Sequence, residues 1–222
     1  MRLCLKWALT GTVLAVLHGA VAAEPLAQQD HVDRALLDYA SGRLHSAGRA
    51  FDCLARQGVA VAQYNLAVMH LRKELPQSSR VQARRWMERA AKSGFVTAQH
   101  DMGQALETGL WGQRDLIRAH DWYQRAAEAG SVDAQLAMGT AHYLGRGRPQ
   151  DSARAANWFR EAAKAGDVGA MYLLASMFEK GDGVPADRRL ARYWYAAASA
   201  LGDPVAAAKL KELDAAGAGT GS

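Results

Sequence analysis

The chain has 222 residues, of which 50% are apolar and 22% are charged, and its formal net charge is +5. This composition is that of an ordinary folded protein, and it excludes a chain that is disordered throughout. The 27 basic residues are scattered among 22 acidic ones, and no DNA-reading motif accompanies them. We therefore expect no nucleic-acid partner.

The first 23 residues have the layout of a secretory signal peptide. Arg2 and Lys6 precede an apolar run, and small residues follow it as far as Ala23. We predict cleavage between Ala23 and Glu24, which leaves 25 basic against 22 acidic residues and a net charge of +3. Because the run is shorter than the roughly 20 residues that span a bilayer, we favour cleavage over a retained anchor. The mature protein is expected to be periplasmic or secreted, with no stable membrane span.

Cys53 is the only cysteine expected in the mature chain, because Cys4 lies in the signal. A single thiol cannot form an intramolecular disulfide, so packing alone must hold the fold together. Cys4 precedes the apolar run instead of standing at the cleavage point, which argues against a lipoprotein anchor. Cys53 falls in an apolar helical pattern and is expected to be a small buried core residue rather than a reactive thiol.

A repeat of 36 residues runs through most of the chain. A fixed period of this length is the signature of a solenoid, in which each unit packs against its neighbours and a long surface is left for binding. The pattern therefore favours binding over catalysis. Three columns of identical residues mark the period: Trp86, Trp122, Trp158 and Trp194; Ala62, Ala98, Ala134, Ala170 and Ala206; and Gly94, Gly130, Gly166 and Gly202.

Each unit is predicted to be a helix, a turn, a second helix and a turn, with about 13 residues per helix. Small and apolar residues recur at helical spacing in both halves. In the unit that begins at Ala98, the first stripe holds Ala98, Met102, Gly103 and Leu106, and the second holds Ala119, Trp122, Tyr123, Ala126 and Ala127.

Particular residues are expected to define the helix ends and the packing. The glycine column stands where a left-handed residue ends each second helix. Asp115, Asp151 and Asp187 stand at the start of second helices, where a carboxylate can cap free backbone amides. The small residues let helices approach closely, and the tryptophan column is expected to fill the space where one unit meets the next.

These residues resemble the Sel1-like repeat, a family similar to tetratricopeptide repeats. The resemblance implies an all-α fold, an α/α solenoid forming a right-handed superhelix, that is used to assemble protein complexes. It covers four repeats, 62–97, 98–133, 134–169 and 170–205, about two thirds of the chain. Segment 170–202 shows it most fully, through Gly181, Gly183, Val184, Asp187, Ala191, Trp194, Tyr195 and Gly202.

The flanks and the first repeat depart from this pattern. Segment 24–61 is predicted to be a shortened, degenerate repeat that caps the amino end. The repeat at 62–97 carries Lys73, Leu75 and Pro76 where loop glycines would stand, so its turn should differ. A helix over 204–213 is expected to cap the carboxyl end, so that segment 206–222 forms a capping helix followed by a flexible tail.

Each first helix has another face, which points away from its packed stripe. In the architecture that the resemblance implies, this face lines a concave groove. The groove is suited to a peptide or helix whose charged side chains it can recognise. A face that is merely solvated would hold few aromatics, and several tyrosines argue against that alternative. The predicted partner-binding residues are Tyr64, Val68, Leu71 and Arg72; His100, Gln104, Glu107 and Thr108; Leu136, Thr140, Tyr143 and Leu144; and Tyr172, Ser176, Glu179 and Lys180.

No catalytic residue, metal site or cofactor is expected. The rival enzymatic function is penicillin binding or hydrolysis, linked to cysteine-rich exported relatives, but the sequence lacks S-x-x-K, S-D-N and K-T-G. It also lacks H-E-x-x-H and C-x-x-C, and its histidines occupy a repeat column (His70 and His142), the predicted groove or scattered positions such as His120.

We therefore predict a non-catalytic exported scaffold that binds protein partners in the bacterial cell envelope. The alternative binding role is recognition of peptidoglycan or an exopolysaccharide, in which groove aromatics would stack on sugar faces.

Overall fold

The computed structural model describes residues 23–218, with side chains from 28 to 216. The predicted signal peptide lies outside these residues except for Ala23. The described chain is all α-helical, as predicted, and contains eleven helices and no strand. Their bounds are α1 Ala23–Ala40, α2 Leu44–Arg56, α3 Ala60–Leu71, α4 Arg80–Lys92, α5 Val96–Thr108, α6 Leu116–Glu128, α7 Val132–Leu144, α8 Ser152–Lys164, α9 Val168–Lys180, α10 Arg188–Ala200 and α11 Pro204–Ala218.

The chain divides into two compact units, one ending at Ala98 and the other beginning at Gln99. In the first unit α1 packs on α2, α2 on α3 and α3 on α4. In the second unit the helices from α6 to α11 pack in the same manner, each on the next. Helices in contact are thus neighbours in the chain, as in a helical repeat solenoid.

The predicted signals set the helix ends. The side chains of Asp115, Asp151 and Asp187 each accept a hydrogen bond from the backbone amide three residues on, at 2.9–3.1 Å. Their predicted capping role is therefore confirmed. The left-handed stops are also confirmed, because the four members of the glycine column, Gly94, Gly130, Gly166 and Gly202, have φ between 85° and 97°.

The turn after α3 differs from the others less than the sequence indicates. Lys73 has φ 59°, so it takes the left-handed conformation that Gly109 has one repeat later, at φ 76°. The turn therefore begins as the others do, and the difference starts after Lys73. There Leu75 packs against Gly48 of α2, and its carbonyl accepts a hydrogen bond from the Ser78 amide at 3.1 Å.

The most deeply buried position of each second helix is the residue that follows its tryptophan. Trp86 and Trp122 are 9% exposed and Trp158 and Trp194 are half-buried, so the tryptophan column is buried as predicted in its first two members and only partly in the last two. The apolar face of each second helix is centred one residue later, which moves the indole to its edge. The residues at the centre are at most 6% exposed: Met87, Tyr123, Phe159 and Tyr195.

Two glycines of the first helices make room for these aromatic rings. A Cβ atom on Gly103 of α5 would lie 2.6 Å from the Tyr123 ring, and one on Gly139 of α7 would lie 2.5 Å from the Phe159 ring. Both distances are far below van der Waals contact. The small-residue column therefore acts as a set of sockets for the aromatic side chains of the second helices, as well as allowing close approach.

Two predictions about other segments are wrong. Helix α11 continues to Ala218, beyond the expected end at Leu213, because alanines favour helix there and the Asp214 carboxylate pairs with Arg192 at 2.6 Å. The predicted flexible tail is thus helical as far as 218, and 219–222 lie outside the described residues. Cys53 is half-buried rather than buried, since it lies at the edge of the apolar face of α2.

Candidate binding site

An open cavity of about 410 Å³ lies in the second unit, between α5, α6 and α7. Five of the predicted partner-binding residues line it: His100, Gln104, Glu107, Leu136 and Thr140. The other lining residues are Leu116, Ala119, His120, Tyr123, Asp133, Ala137, Ala141 and Arg146. We call this cavity the α5–α7 pocket.

The repeat geometry explains how the pocket forms. Helices α5 and α7 are first helices of successive repeats, and each contributes its outward face, as the sequence predicts. Helix α6 supplies the buried part of the wall, since His120 is 5% and Tyr123 6% exposed. Small side chains at Ala137 and Ala141 leave the space open.

A hydrogen-bonded carboxylate lies at one side of the α5–α7 pocket. The Tyr123 hydroxyl donates to Oε2 of Glu107 at 2.8 Å, and Nη1 of Arg146 lies 3.6 Å from Oε1 of the same carboxylate. Burial, with Glu107 as hydrogen-bond acceptor, raises the pKa of Tyr123 above its usual range. The tyrosine therefore stays a neutral donor to the Glu107 carboxylate beside the cavity.

His100 lies on the other side of the Tyr123 ring, with ring centroids 5.6 Å apart. Its Nδ1 is 3.1 Å from Oδ1 of Asp101. This hydrogen bond raises the pKa of His100, with the charge of Asp133 adding to the effect, although burial opposes it. When His100 is protonated, its charge is balanced by that of Asp101.

His120 and His142 form a buried ring pair where α6 meets α7. Their centroids are 5.2 Å apart with the rings nearly perpendicular, and both residues are 5% exposed. Neither ring nitrogen of His120 has a hydrogen-bond partner, nor does Nδ1 of His142. Burial lowers the pKa of both imidazoles, so the fold holds them neutral. The structure thus brings together two histidines that the sequence analysis treated as unrelated.

The remaining predicted residues of the second unit do not line the pocket. Thr108, Leu144 and Lys180 are exposed. Tyr143 hydrogen-bonds the Asp182 carboxylate, which raises the tyrosine pKa. On α9, Glu179 accepts a hydrogen bond from the hydroxyl of Tyr195 of α10 at 2.7 Å, and Tyr172 packs on the Tyr195 ring with centroids 5.5 Å apart. Ser176 is a further hydrogen-bond partner of Tyr195.

The predicted residues of the first unit lie on α3 and in the turn after it. The rings of Tyr64 and Phe95 have centroids 5.1 Å apart. Arg72 is exposed and its Nη1 donates to the Tyr39 hydroxyl at 2.9 Å, while that hydroxyl donates to Glu74 at 3.0 Å. Val68 and Leu71 are half-buried. Several predicted partner-binding side chains are therefore engaged within the fold.

Sequence reasoning missed the α6 residues of the pocket and the alanines that open it. The next repeat carries the missing signal, because Leu173 and Met177 stand 36 residues after Ala137 and Ala141. Comparing repeats for lost side-chain volume, as well as for retained identity, would have indicated a cavity on this face.

Two other kinds of site are absent from the described residues. No cluster of three or more histidine, cysteine, aspartate or glutamate side chains in that part of the chain could hold a metal ion. Among the helices described, none combines the length and the apolar character needed to cross a membrane.

Four consecutive segments, 60–95, 96–131, 132–167 and 168–203, match the family model for the Sel1 repeat. The chain belongs to the Sel1 repeat family. These segments begin two residues before the alanine column. Sel1 repeat proteins are typically non-catalytic scaffolds for protein interaction. With the chain-neighbour packing of its helices, this Sel1 repeat protein has an all-α helical repeat solenoid fold, as predicted.

Solved structures agree with this assignment. The Sel1 repeat protein from Oxalobacter formigenes is 36% identical, with a TM-score of 0.70 over 76% of this chain. The protein c5321, a protective antigen present in uropathogenic Escherichia coli strains, displays the same fold at 27% identity, with a TM-score of 0.77 over 84% of this chain. The matches span 49% and 41% of those two proteins. No functionally curated protein matches this chain.

Proposed function

We propose that this Sel1 repeat protein is an exported, non-catalytic scaffold that binds protein partners in the bacterial cell envelope. The observation that carries the proposal is the α5–α7 pocket, because five residues predicted from the outward faces of two first helices line one cavity. A concave, mostly apolar wall with a few convergent polar groups is the usual form of a recognition site.

Export is the second part of the proposal and rests on the amino-terminal sequence. The basic residues, apolar run and small residues up to Ala23 support a cleaved signal that directs the chain to the periplasm or the medium. Fractionation of cells that express the full chain, followed by mass measurement of the exported product, tests this part. We expect an amino terminus at Glu24; an intact protein that stays in the cytoplasm would contradict export.

Partner binding is tested by cross-linking the purified mature chain to envelope proteins and identifying the cross-linked residues. Thr140→Arg places charge and bulk in the pocket and should remove cross-links to the outward faces of α5 and α7. Tyr193→Arg is the matched control, because Tyr193 is 61% exposed on α10, a second helix. Cross-links that map to second helices other than α6, or that survive Thr140→Arg unchanged, would contradict the proposed surface.

The same preparation separates the alternative functions. Retention of peptidoglycan or exopolysaccharide, without any protein, would favour the carbohydrate-binding role through Tyr64, Tyr143 and Tyr172. Turnover of a β-lactam by the purified chain would favour the hydrolase that the missing acylation motifs argue against.

A further inference from the structure

The lining of the α5–α7 pocket combines apolar and acidic side chains. Leu116, Leu136, Ala137 and Ala141 present aliphatic carbon to the cavity, and Gln104 and Thr140 add polar atoms. This arrangement suits a ligand that has a hydrocarbon stem and a polar head, since the stem removes apolar surface from water while the head reaches the polar atoms.

The charges in the pocket favour a cationic head. Glu107 and Asp133 contribute two carboxylates against the single guanidinium of Arg146. Arg146 already approaches Glu107, and His100, which also lines the pocket, is hydrogen-bonded to Asp101. The lining carboxylates thus outnumber the guanidinium by one, which favours a cationic ligand over an anionic one.

His120 forms part of the wall behind the cavity. It is 5% exposed, and both of its ring nitrogens are buried away from solvent. Because the cavity is open to solvent and these nitrogens are not, a ligand in the pocket meets only carbon atoms of this ring. The polar contacts to a ligand therefore come from Glu107, Asp133, Gln104 and Thr140.

We propose that the α5–α7 pocket binds an arginine side chain of the protein partner, with the guanidinium held by Glu107 and Asp133. This inference rests on the proposed function, since it specifies which feature of a partner the scaffold reads. The guanidinium offers five donors in a planar fork, which several acceptors around one cavity can satisfy together. The alkyl stem packs on the leucines, and the 410 Å³ volume also admits the adjoining backbone.

The equivalent position one repeat later shows that the scaffold does not require this pocket. There Leu173 and Met177 replace Ala137 and Ala141, and Tyr143 and Gly169 replace Glu107 and Asp133. The two carboxylates of Glu107 and Asp133 are thus absent from that repeat, Asp182 stands where Arg146 does, and the larger side chains occupy the space that the alanines leave. The pocket is therefore a property of these particular side chains, and a single substitution copied from the next repeat can remove it.

The test uses small probes and the whole mature chain. N-acetyl-arginine amide is titrated by calorimetry against N-acetyl-norleucine amide and N-acetyl-glutamate amide. We expect saturable binding of the arginine probe, about tenfold tighter than that of either other probe, because charge-assisted hydrogen bonds form only with the guanidinium. Equal affinity for the norleucine probe, or tighter binding of the glutamate probe, would overturn the proposal.

Variants locate the bound probe. Ala137→Leu should abolish binding by filling the cavity, and Asp133→Asn and Glu107→Gln should each weaken it about fivefold or more. Glu74→Gln is the matched control, because Glu74 also accepts a tyrosine hydroxyl, from Tyr39, but lies in the first unit. Its affinity should equal that of the unchanged chain. Circular dichroism verifies that each variant is folded.

The outcomes separate this inference from the proposed function. If the arginine probe does not bind while cross-links to a protein partner still map to α5 and α7, the scaffold function stands and the arginine pocket is wrong. If the probe binds and Ala137→Leu leaves its affinity unchanged, the site lies elsewhere and the proposal is also wrong. If the arginine probe binds but no protein cross-links form, the scaffold function is wrong while the pocket still binds arginine.

Discussion

Two successive helix triplets of the second unit, α5–α7 and α7–α9, share one backbone plan and fill it differently. In the first, His120 and His142 meet at the junction and a cavity opens beside them. In the second, the same positions hold Ala156 and Phe178, which are 0% and 7% exposed and belong to the apolar core. The comparison teaches that the repeat supplies the frame, while substitutions within one unit create a polar, accessible site.

We call α5–α7 the open triplet and α7–α9 the closed triplet, because apolar side chains fill the junction of the second. The largest expected effect is on the closed triplet. Phe159→Ala should lower the free energy of unfolding by about 3–5 kcal/mol, because the ring is 1% exposed and fills the socket at Gly139. Trp158→Ala should cost clearly less, because that indole is half-buried. Urea unfolding of both variants measures the difference, and a larger loss for Trp158→Ala would show that the tryptophan column is the true core.

The second effect tests the socket directly. Gly139→Ala should destabilise by about 1–3 kcal/mol, because its Cβ would overlap the Phe159 ring. Gly169→Ala is the control, since that helical glycine would bring its Cβ near only the Asp167 side chain, at 3.3 Å. Thermal unfolding should show Gly169→Ala as stable as the unchanged chain or more so. Equal losses of stability at both positions would show that Gly139 does not act as a socket for the Phe159 ring.

The third prediction concerns a double variant that gives the α6–α7 junction the residues found at the α8–α9 junction. His120→Ala with His142→Phe copies Ala156 and Phe178, and it should stabilise the protein by about 1–2 kcal/mol at neutral pH, because buried unpaired nitrogens are removed. Urea unfolding at pH 7.5 checks this. A destabilised double variant would indicate that the two imidazoles contribute packing that the other junction does not need.

The same pair gives a pH dependence with a definite sign. Both histidine pKa values are lowered in the fold, so below the ordinary value of 6.5 the unfolded chain binds more protons than the folded one. The contribution of this pair to stability should therefore be steady above pH 6.5 and fall as the pH drops through that value toward the lower folded pKa values. The positive charges of Arg148 and Arg154 act in this direction, and the carboxylates of Asp121 and Asp151 oppose it.

The double variant isolates this contribution in unfolding curves between pH 7.5 and 5.5. His100 acts with the opposite sign, since its raised pKa adds stability that is lost as the pH rises through the folded value. That contribution is common to both proteins and cancels in the difference. The double variant should lose less stability on acidification; an identical loss would mean that the ring pair does not titrate with folding.

The smallest effect concerns Tyr143, which stands in the closed triplet where Glu107 stands in the open one. Tyr143→Phe removes the hydrogen bond to Asp182 and should cost about 0.5–1.5 kcal/mol. Tyr193→Phe, on the 61% exposed Tyr193, should change nothing measurable. Differential scanning calorimetry compares the two, and a null result for Tyr143→Phe would show that the bond is fully replaced by water.

The repeat framework and most helix ends could be predicted from the sequence because both arise from local chemistry. Period, helical stripe, aspartate caps and glycine stops are each set by residues within one unit. The depth of the tryptophans could not be predicted so well. A stripe of adjacent apolar residues such as Trp158 and Phe159 defines a face, but the contacts with the next helix decide where that face is centred.

The candidate site could be predicted only in part. The outward faces of α5 and α7 follow from helical periodicity, and they supply five lining residues. The pocket also depends on α6, on the absence of bulk at Ala137 and Ala141, and on two histidines 22 positions apart. These features depend on where three helices meet, and a residue that leaves space gives no positive signal in one sequence.

The most direct test of this account is a two-dimensional amide NMR titration of the mature chain with N-acetyl-arginine amide. The account predicts saturable shifts concentrated at Gln104, Leu136, Thr140 and their neighbours on α5 and α7, with little change at Leu173 and Met177 in the closed triplet. Shifts spread evenly over both triplets, or confined to helices other than α5, α6 and α7, would contradict it.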